Sequence, residues 1–175
     1  VYEDEHILLV NKPSGMLSQK ARDSDVSLVE YVTGYMLDSG QITREELRAF
    51  RPSVCNRLDR NTSGLVAAGK SLAGLQGLSA VFKDRSLHKY YLCAVWGRVK
   101  EKKRIDGILV KDEKANQVKI LPLKNAGEGA ESREGAPICT EYEPLKYQDG
   151  FTLLKVALIT GRTHQIRAHL SSVGY

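Results

Sequence analysis

The chain has 175 residues, of which 42% are hydrophobic and 27% are charged, so it is long enough for one full-sized domain with a buried core. Lys and Arg outnumber Asp and Glu by 26 to 21, and the net charge of +5 weakly favours a polyanionic partner such as nucleic acid. No signal peptide and no apolar run of membrane-spanning length is present, which argues against a membrane protein.

The first part of the chain is predicted to form a buried strand and then a small helical hairpin. Residues 7–10 are an apolar run, and Asn11-Lys12-Pro13-Ser14-Gly15 ends it in a turn. Ser27-Leu28-Val29-Glu30 has capping-box spacing and predicts a helix. The same signature at residues 43–46 predicts a short helix that Pro52 ends. The apolar face of the first helix is predicted to contain Leu28, Val32, Tyr35 and Met36.

The middle of the chain predicts one further helix and an amphipathic strand. Ser71 can cap a helix, which Gly74 and Gly77 each weaken by roughly 1 kcal/mol relative to Ala, so tertiary packing is expected to hold it. Residues 89–97 are typical of a strand. Its period-two alternation puts three side chains on one face: Tyr91, Cys93 and Val95. The apolar positions of the helix are Leu72, Leu75, Leu78, Val81 and Phe82.

The remaining residues favour a sheet. Two weak strands are predicted within residues 105–121, and the Gly-, Glu- and Lys-rich residues 122–137 predict an exposed loop. Strands at 138–147 and 151–160 are joined by Asp149-Gly150, a strong hairpin signal. Thr163 can cap a helix that starts at His164. The predicted fold class is therefore α+β, with a mixed, mainly antiparallel sheet and peripheral helices.

The stretch Arg57-Leu58-Asp59-Arg60-Asn61-Thr62-Ser63-Gly64 is the most informative one. It sets one carboxylate between two guanidiniums, and opposite charges favour the ionised form. Ionised Asp59 suits nucleophilic or base chemistry and not proton donation. From these residues alone, a surface ion pair at a strand entry is the alternative. The Thr-Ser-Gly sequence is typical of a turn.

Two other segments complete the pattern: Lys89-Tyr90-Tyr91 and Gly161-Arg162-Thr163-His164-Gln165-Ile166-Arg167-Ala168-His169-Leu170. With residues 56–65, they closely resemble the motifs of the RluA family of RNA pseudouridine synthases. Residues 11–15 resemble the opening strand and turn of that family. The resemblance runs from about Glu3 to the last residue, and the combination of motifs is highly specific.

This resemblance implies a large mixed sheet divided by a central RNA-binding cleft, and isomerisation of specific uridines to pseudouridine. The expected substrate is ribosomal RNA, with transfer RNA as the next candidate. The expected location is the cytoplasm. In this interpretation Asp59 matches the essential aspartate, Tyr91 the tyrosine that stacks on the target base, and Arg167 the arginine that pairs with the aspartate. Asp59 either attacks C1′ of the ribose or takes the proton from C2′, and the sequence leaves both open.

The candidate substrate-binding residues include Thr62 of the turn and Ile166, which matches an apolar contact beside the base. His164 and Gln165 are either RNA contacts or loop scaffold. Further candidates for phosphate contacts are Arg57, Arg60, Arg162 and the run Lys102-Lys103-Arg104. A charged turn is the favoured alternative for that run.

No metal or organic cofactor is called for. Cys55, Cys93 and Cys139 lack zinc-binding or disulfide-framework spacing and are expected to be reduced, buried thiols of a cytoplasmic protein. Residues 1–175 are predicted to be one pseudouridine synthase catalytic domain that lacks the C-terminal end of the family. No S4 domain is visible before Val1.

Two other functions are compatible with parts of the sequence. The first is a non-catalytic RNA-binding module that retains the fold, against which the set of Asp59, Tyr91 and Arg167 argues. The second is a carboxylate-dependent glycosidase, for which no local motif supplies a second carboxyl group. The oligomeric state cannot be derived from these residues.

Overall fold

The computed structural model describes residues 1–84, 87–112, 117–121 and 135–175. The chain divides into two compact units, Val1–Leu87 and His88–Tyr175. Each unit contains one sheet, and every pairing between the described strands is antiparallel.

The first unit is a four-stranded sheet with helices. Its sheet has the order β1-β2-β4-β3. Helix α1 packs against β3, and helix α2 packs against β4. A single 3₁₀ turn covers Glu46–Arg48. The elements are β1 (Tyr2–Glu3), β2 (Ile7–Lys12), α1 (Leu28–Asp38), β3 (Ser53–Val54), β4 (Gly64–Gly69) and α2 (Leu72–Lys83).

Both predicted capping boxes are present, but only the first one opens an α-helix. The Ser27 amide and hydroxyl donate to the Glu30 carboxylate at 2.9 and 2.6 Å. Three of the four predicted apolar positions of α1 are buried, whereas Tyr35 is 44% exposed and donates its hydroxyl proton to Glu3 Oε2 at 2.7 Å. The box at Thr43 starts only the 3₁₀ turn. The predicted buried strand at residues 7–10 is half-buried.

Helix α2 begins at the predicted cap, since the Ser71 hydroxyl accepts from the Gly74 amide at 3.1 Å. The first of its glycines has a role that the sequence did not indicate. A Cβ at Gly74 would overlap the backbone carbonyl of His6, whereas a Cβ at Gly77 would meet nothing within 4 Å. Gly74 therefore permits a close approach between α2 and the β1–β2 turn. The predicted apolar position Leu72 is exposed.

The second unit is a five-stranded sheet with one helix. The strand order is β5-β9-β8-β6-β7, and helix α3 packs against β7 and β8. The elements are β5 (Lys89–Trp96), β6 (Lys103–Asp112), β7 (Gln117–Leu121), β8 (Gly135–Gln148), β9 (Phe151–Leu158) and α3 (Gln165–Ser172). Its core cluster consists of Val95, Val99, Tyr142, Leu154, Val156 and Leu170.

The strands of this unit follow the sequence pattern closely. Asp149 and Gly150 have φ angles of 52° and 83°, the left-handed backbone that a tight hairpin turn requires. The two weak strands that were predicted within residues 105–121 correspond to β6 and β7. Strand β8 begins at Gly135, so the end of the predicted loop is in fact strand, while residues 122–134 lie outside the described residues.

Candidate active site

Asp59 lies half-buried in the loop that connects β3 to β4, within the first unit. The segment after β2 holds both chain neighbours of Asp59. The Ser18 hydroxyl accepts from the Leu58 amide at 3.0 Å and donates to the Leu58 carbonyl at 2.8 Å. The Arg60 carbonyl accepts from the Gly15 amide at 2.8 Å. Because the residues on either side are fixed, the backbone of Asp59 is held in one position.

Lys12 of β2 supports this loop and was not among the predicted site residues. Its side chain is completely buried at the end of β2. The ammonium group donates to the carbonyls of Met16, Pro13 and Arg60 at 2.8, 3.0 and 3.3 Å. Burial lowers the pKa of Lys12, and the negative charge of Asp59 opposes that shift. A lysine at the end of an apolar strand was the available signal, since buried lysines are rare without partners.

The other predicted residues of this loop take different positions. Arg57 and Arg60 are exposed, and the Arg60 guanidinium donates from Nε to the Gly15 carbonyl at 3.1 Å. Thr62 is half-buried, and its amide donates to the Asp59 carbonyl at 2.9 Å, which closes the predicted turn. Asn56 bonds the Leu65 carbonyl and the Ala67 amide at 3.1 and 2.8 Å, so it fastens the base of the loop.

Tyr91 and Ile166 lie together in the second unit. Both are half-buried and pack against the same core cluster. Tyr91 is in β5, opposite Val156 of β9, and Ile166 is in the first turn of α3. The predicted face of Tyr91, Cys93 and Val95 is confirmed, because alternate residues of β5 point to the core. The structure therefore brings the two predicted base-contacting residues to one apolar surface.

The start of α3 differs from the prediction. The residue that precedes the helix is His164, with a left-handed φ of 56°, and the helix begins at Gln165. Thr163 is not the cap, because it lies inside a turn in which the Gln165 amide donates to the Arg162 carbonyl at 3.1 Å. A left-handed backbone is unusual for a residue other than glycine, and such residues are enriched at functional sites.

Gln165 is a scaffold residue. Its side chain is 1% exposed. Its side-chain nitrogen Nε2 donates to the Cys139 carbonyl and the Thr140 hydroxyl at 3.0 and 2.9 Å. Its amide oxygen accepts from the Thr160 hydroxyl and the Arg162 amide, both at 3.0 Å. The structure thus supports the second of the two predicted alternatives for this side chain, since all its hydrogen-bonding capacity is used inside the protein.

Arg162, His164 and Arg167 are exposed around the start of α3. The predicted pairing of Asp59 with Arg167 joins residues of different units and stays a prediction. The run Lys102-Lys103-Arg104 is not a turn, because β6 begins at Lys103. Lys102 is 3.4 Å from the Glu141 carboxylate, and Arg104 is 3.0 Å from that of Asp106.

The described ranges bring no three His, Cys, Asp or Glu side chains together as ligands for a metal ion. Cys55, Cys93 and Cys139 are free thiols, and only Cys139 is buried. Burial is the main factor that raises the pKa of Cys139 to about 11, so this thiol is not a reactive thiolate.

Among the described helices, none combines the length and the apolar character needed to span a membrane.

A family model described as RNA pseudouridylate synthase matches residues 6–172. The chain belongs to this family. A ribosomal large subunit pseudouridine synthase C from Vibrio parahaemolyticus is 33% identical over 181 residues, which cover 100% of this chain and 49% of that protein. A dual-specificity RNA pseudouridine synthase RluA from Vibrio cholerae is 30% identical over 177 residues, with 100% and 64% covered.

The fold of the pseudouridylate synthase family is also found by structural comparison. A human protein, RNA pseudouridylate synthase domain containing 4, superposes with a TM-score of 0.78 at 21% identity, covering 98% of this chain and 63% of that one. The resemblance to the RluA family and the α+β fold class are therefore confirmed. The chain spans about half the length of the first of these relatives.

Proposed function

We propose that this pseudouridylate synthase family member isomerises uridines in RNA to pseudouridine, with ribosomal RNA as the proposed substrate and transfer RNA as the alternative. The observation that carries the proposal is the fixed loop of Asp59. This carboxylate lies between two anchored residues and near the buried ammonium of Lys12. Residues 1–175 serve as the catalytic domain, and the proposed substrate places the reaction in the cytoplasm.

The reaction breaks the bond between N1 of uracil and C1′ of the ribose, turns the base, and joins C5 to C1′, with loss of the C5 proton and uptake of a proton at N1. Asp59 acts on the ribose, either as the nucleophile at C1′ or as the base at C2′. Both roles need the carboxylate to face the ribose, and the proposed pairing with Arg167 would orient it.

The free uracil must be retained while it turns. Tyr91 supplies a stacking surface next to Ile166, and base–aromatic stacking contributes about 1–3 kcal/mol per base. Arg57, Arg60 and Arg162 are exposed and are proposed to bind the phosphates around the target. Thr62 and His164 complete the proposed set of substrate-binding residues, because they shape the backbone turns in which they lie.

Release of tritium from RNA labelled at uridine C5 tests this function. The protein is expected to release label with time, and Asp59→Asn to release none while it keeps most of its RNA affinity. Asp38→Asn is the matched control, because Asp38 is an exposed carboxylate at the end of α1, and it should release label at the normal rate. Normal release by Asp59→Asn would show that the assignment of Asp59 is wrong.

A further inference from the structure

The second unit contains a groove of about 420 Å³ that none of the family motifs uses. Two of its sides come from different elements. Arg98 and Lys100 follow β5, whereas Lys146 and Tyr147 belong to the last part of β8. Thr152, near the start of β9, lies between them.

The groove is built on a fixed backbone. The Thr152 side chain is fully buried, donates to the Gly97 carbonyl at 2.6 Å and accepts from the Val99 amide at 3.0 Å. These two bonds hold the segment that carries Arg98 on both sides. Opposite it, the register of β8 shifts between Pro144 and Lys146. Such a bulge re-aims the side chains that follow it.

The lining combines positive charge with an accessible aromatic ring. Three cationic side chains face the groove, and none of its described lining residues is Asp or Glu. The Arg98 guanidinium lies 5.3 Å from the centre of the Tyr147 ring, within cation–π distance. Tyr147 is nevertheless 48% exposed, so part of the ring remains available to a ligand.

We propose that this groove binds a single-stranded segment of the RNA substrate, outside the target uridine. Phosphates contact Arg98, Lys100 and Lys146, and one base stacks on Tyr147, the combination by which single strands are bound. The inference rests on the proposed function. It adds a second contact region to the RNA-binding surface.

The position of the groove gives the expected spacing on the RNA. Thr152 pairs with Val95 of β5, and Val156 pairs with Tyr91, so the groove and the proposed stacking tyrosine are four strand residues apart. At about 3.4 Å per residue this is about 14 Å. A helically stacked strand rises about 3.4 Å per nucleotide, so about four nucleotides separate the target uridine from the groove.

The test is the affinity of the protein for a single-stranded RNA with one uridine and six flanking nucleotides on each side, measured by fluorescence anisotropy. The variant Arg98→Ala/Lys100→Ala/Lys146→Ala is expected to bind at least about tenfold more weakly. Each lost phosphate contact lowers the slope of log affinity against log salt by about 0.7, so the slope should fall by about 2.

A charge-matched control removes the same number of cations elsewhere. Arg44, Arg48 and Lys83 are exposed side chains of the first unit, and their combined replacement by Ala is expected to leave the salt slope within about 0.5 of the original. Equal losses of slope in the two triple variants would overturn the proposal, since net charge alone would then explain binding.

A second pair of variants tests the stacking and is independent of charge. Tyr147→Phe keeps the ring and should bind RNA normally, whereas Tyr147→Ala should bind about 5- to 150-fold more weakly. Equal affinity of these two variants would also contradict the proposal. So would displacement of the RNA by polyglutamate of matched length, because the groove would then be a site for an acidic polypeptide.

Label release from the same RNA separates this inference from the proposed function. Unchanged affinity of the groove variants, with label release intact, would overturn the groove and leave the isomerase assignment standing. Weakened binding by the groove variants, with no label release from the original protein, would support the groove and count against the isomerase. Absence of RNA binding by the original protein would contradict both.

Discussion

Lys12→Met is expected to loosen the Asp59 loop by about 3 kcal/mol. The substitution keeps most of the length of the side chain and removes the ammonium group. Three carbonyls of residues 13, 16 and 60 then lose a charged donor that now lies 2.8 to 3.3 Å away. The segment after β2 and the loop after β3 lose one of the contacts that join them.

The magnitude follows from opposing contributions. Hydrogen bonds from a charged donor contribute about 1.5–3 kcal/mol each, and two of the three have short distances. Removal of the buried charge also relieves a desolvation penalty of several kcal/mol, which offsets part of that loss. A net loss of about 3 kcal/mol results, since each buried carbonyl that is left without its donor costs about 1–3 kcal/mol.

Hydrogen exchange of individual amides measures this change locally. The Gly15 amide bonds the Arg60 carbonyl, and the Leu58 amide bonds the Ser18 hydroxyl. Both should exchange about a hundredfold faster in Lys12→Met, because about 1.4 kcal/mol corresponds to a factor of ten. Lys20→Met is the control, since Lys20 has 40% of its side chain exposed and pairs with Glu30 at 3.4 Å. Equal exchange rates of these amides in the two variants would refute the claim that Lys12 holds the Asp59 loop.

Three further predictions concern stability. In α2, chemical denaturation should show that Gly77→Ala stabilises the fold by about 0.5–1 kcal/mol and that Gly74→Ala destabilises it by about 1–3 kcal/mol. The reason is that a methyl group at position 74 meets backbone, whereas one at position 77 meets nothing within 4 Å. Changes of the same sign in the two variants would contradict this packing. The hydrogen bond from Lys70 is the main factor that lowers the pKa of Glu3 to about 2. The stabilisation that ionised Glu3 contributes is therefore present above about pH 4.5 and is lost towards pH 2. The melting temperature of Glu3→Gln should not show this loss. Burial lowers the pKa of His169 from 6.5, so on acidification the unfolded chain takes up a proton before the folded chain does, and stability falls as the pH drops below 6.5. The stability of His169→Asn should fall less over pH 5–7. An unchanged slope of stability against pH would rule out this histidine as the cause.

The features that the sequence predicted are those that depend on near neighbours. The Asp149-Gly150 turn, the cap at Ser27 and the alternation around Tyr91 each involve residues a few positions apart. Their backbone geometry follows from local sterics and hydrogen bonds.

The features that it missed join distant parts of the chain. Lys12 bonds a carbonyl 48 positions away, and Gly74 lies against His6. Gln165 bonds Cys139, 26 positions earlier, and this buried network places the start of α3 one residue after the predicted one. Periodicity and spacing do not identify the distant partners of such contacts, so the sequence did not predict which residues Lys12, Gly74 and Gln165 would meet.

Analysis of the nucleosides in the RNA after incubation tests the central claim most directly. The protein is expected to convert uridine to pseudouridine in the RNA without releasing free uracil. Asp59→Asn should bind the RNA with nearly the original affinity and form no pseudouridine. Pseudouridine formed by Asp59→Asn, or free uracil as the main product of the original protein, would contradict an isomerase that acts through Asp59.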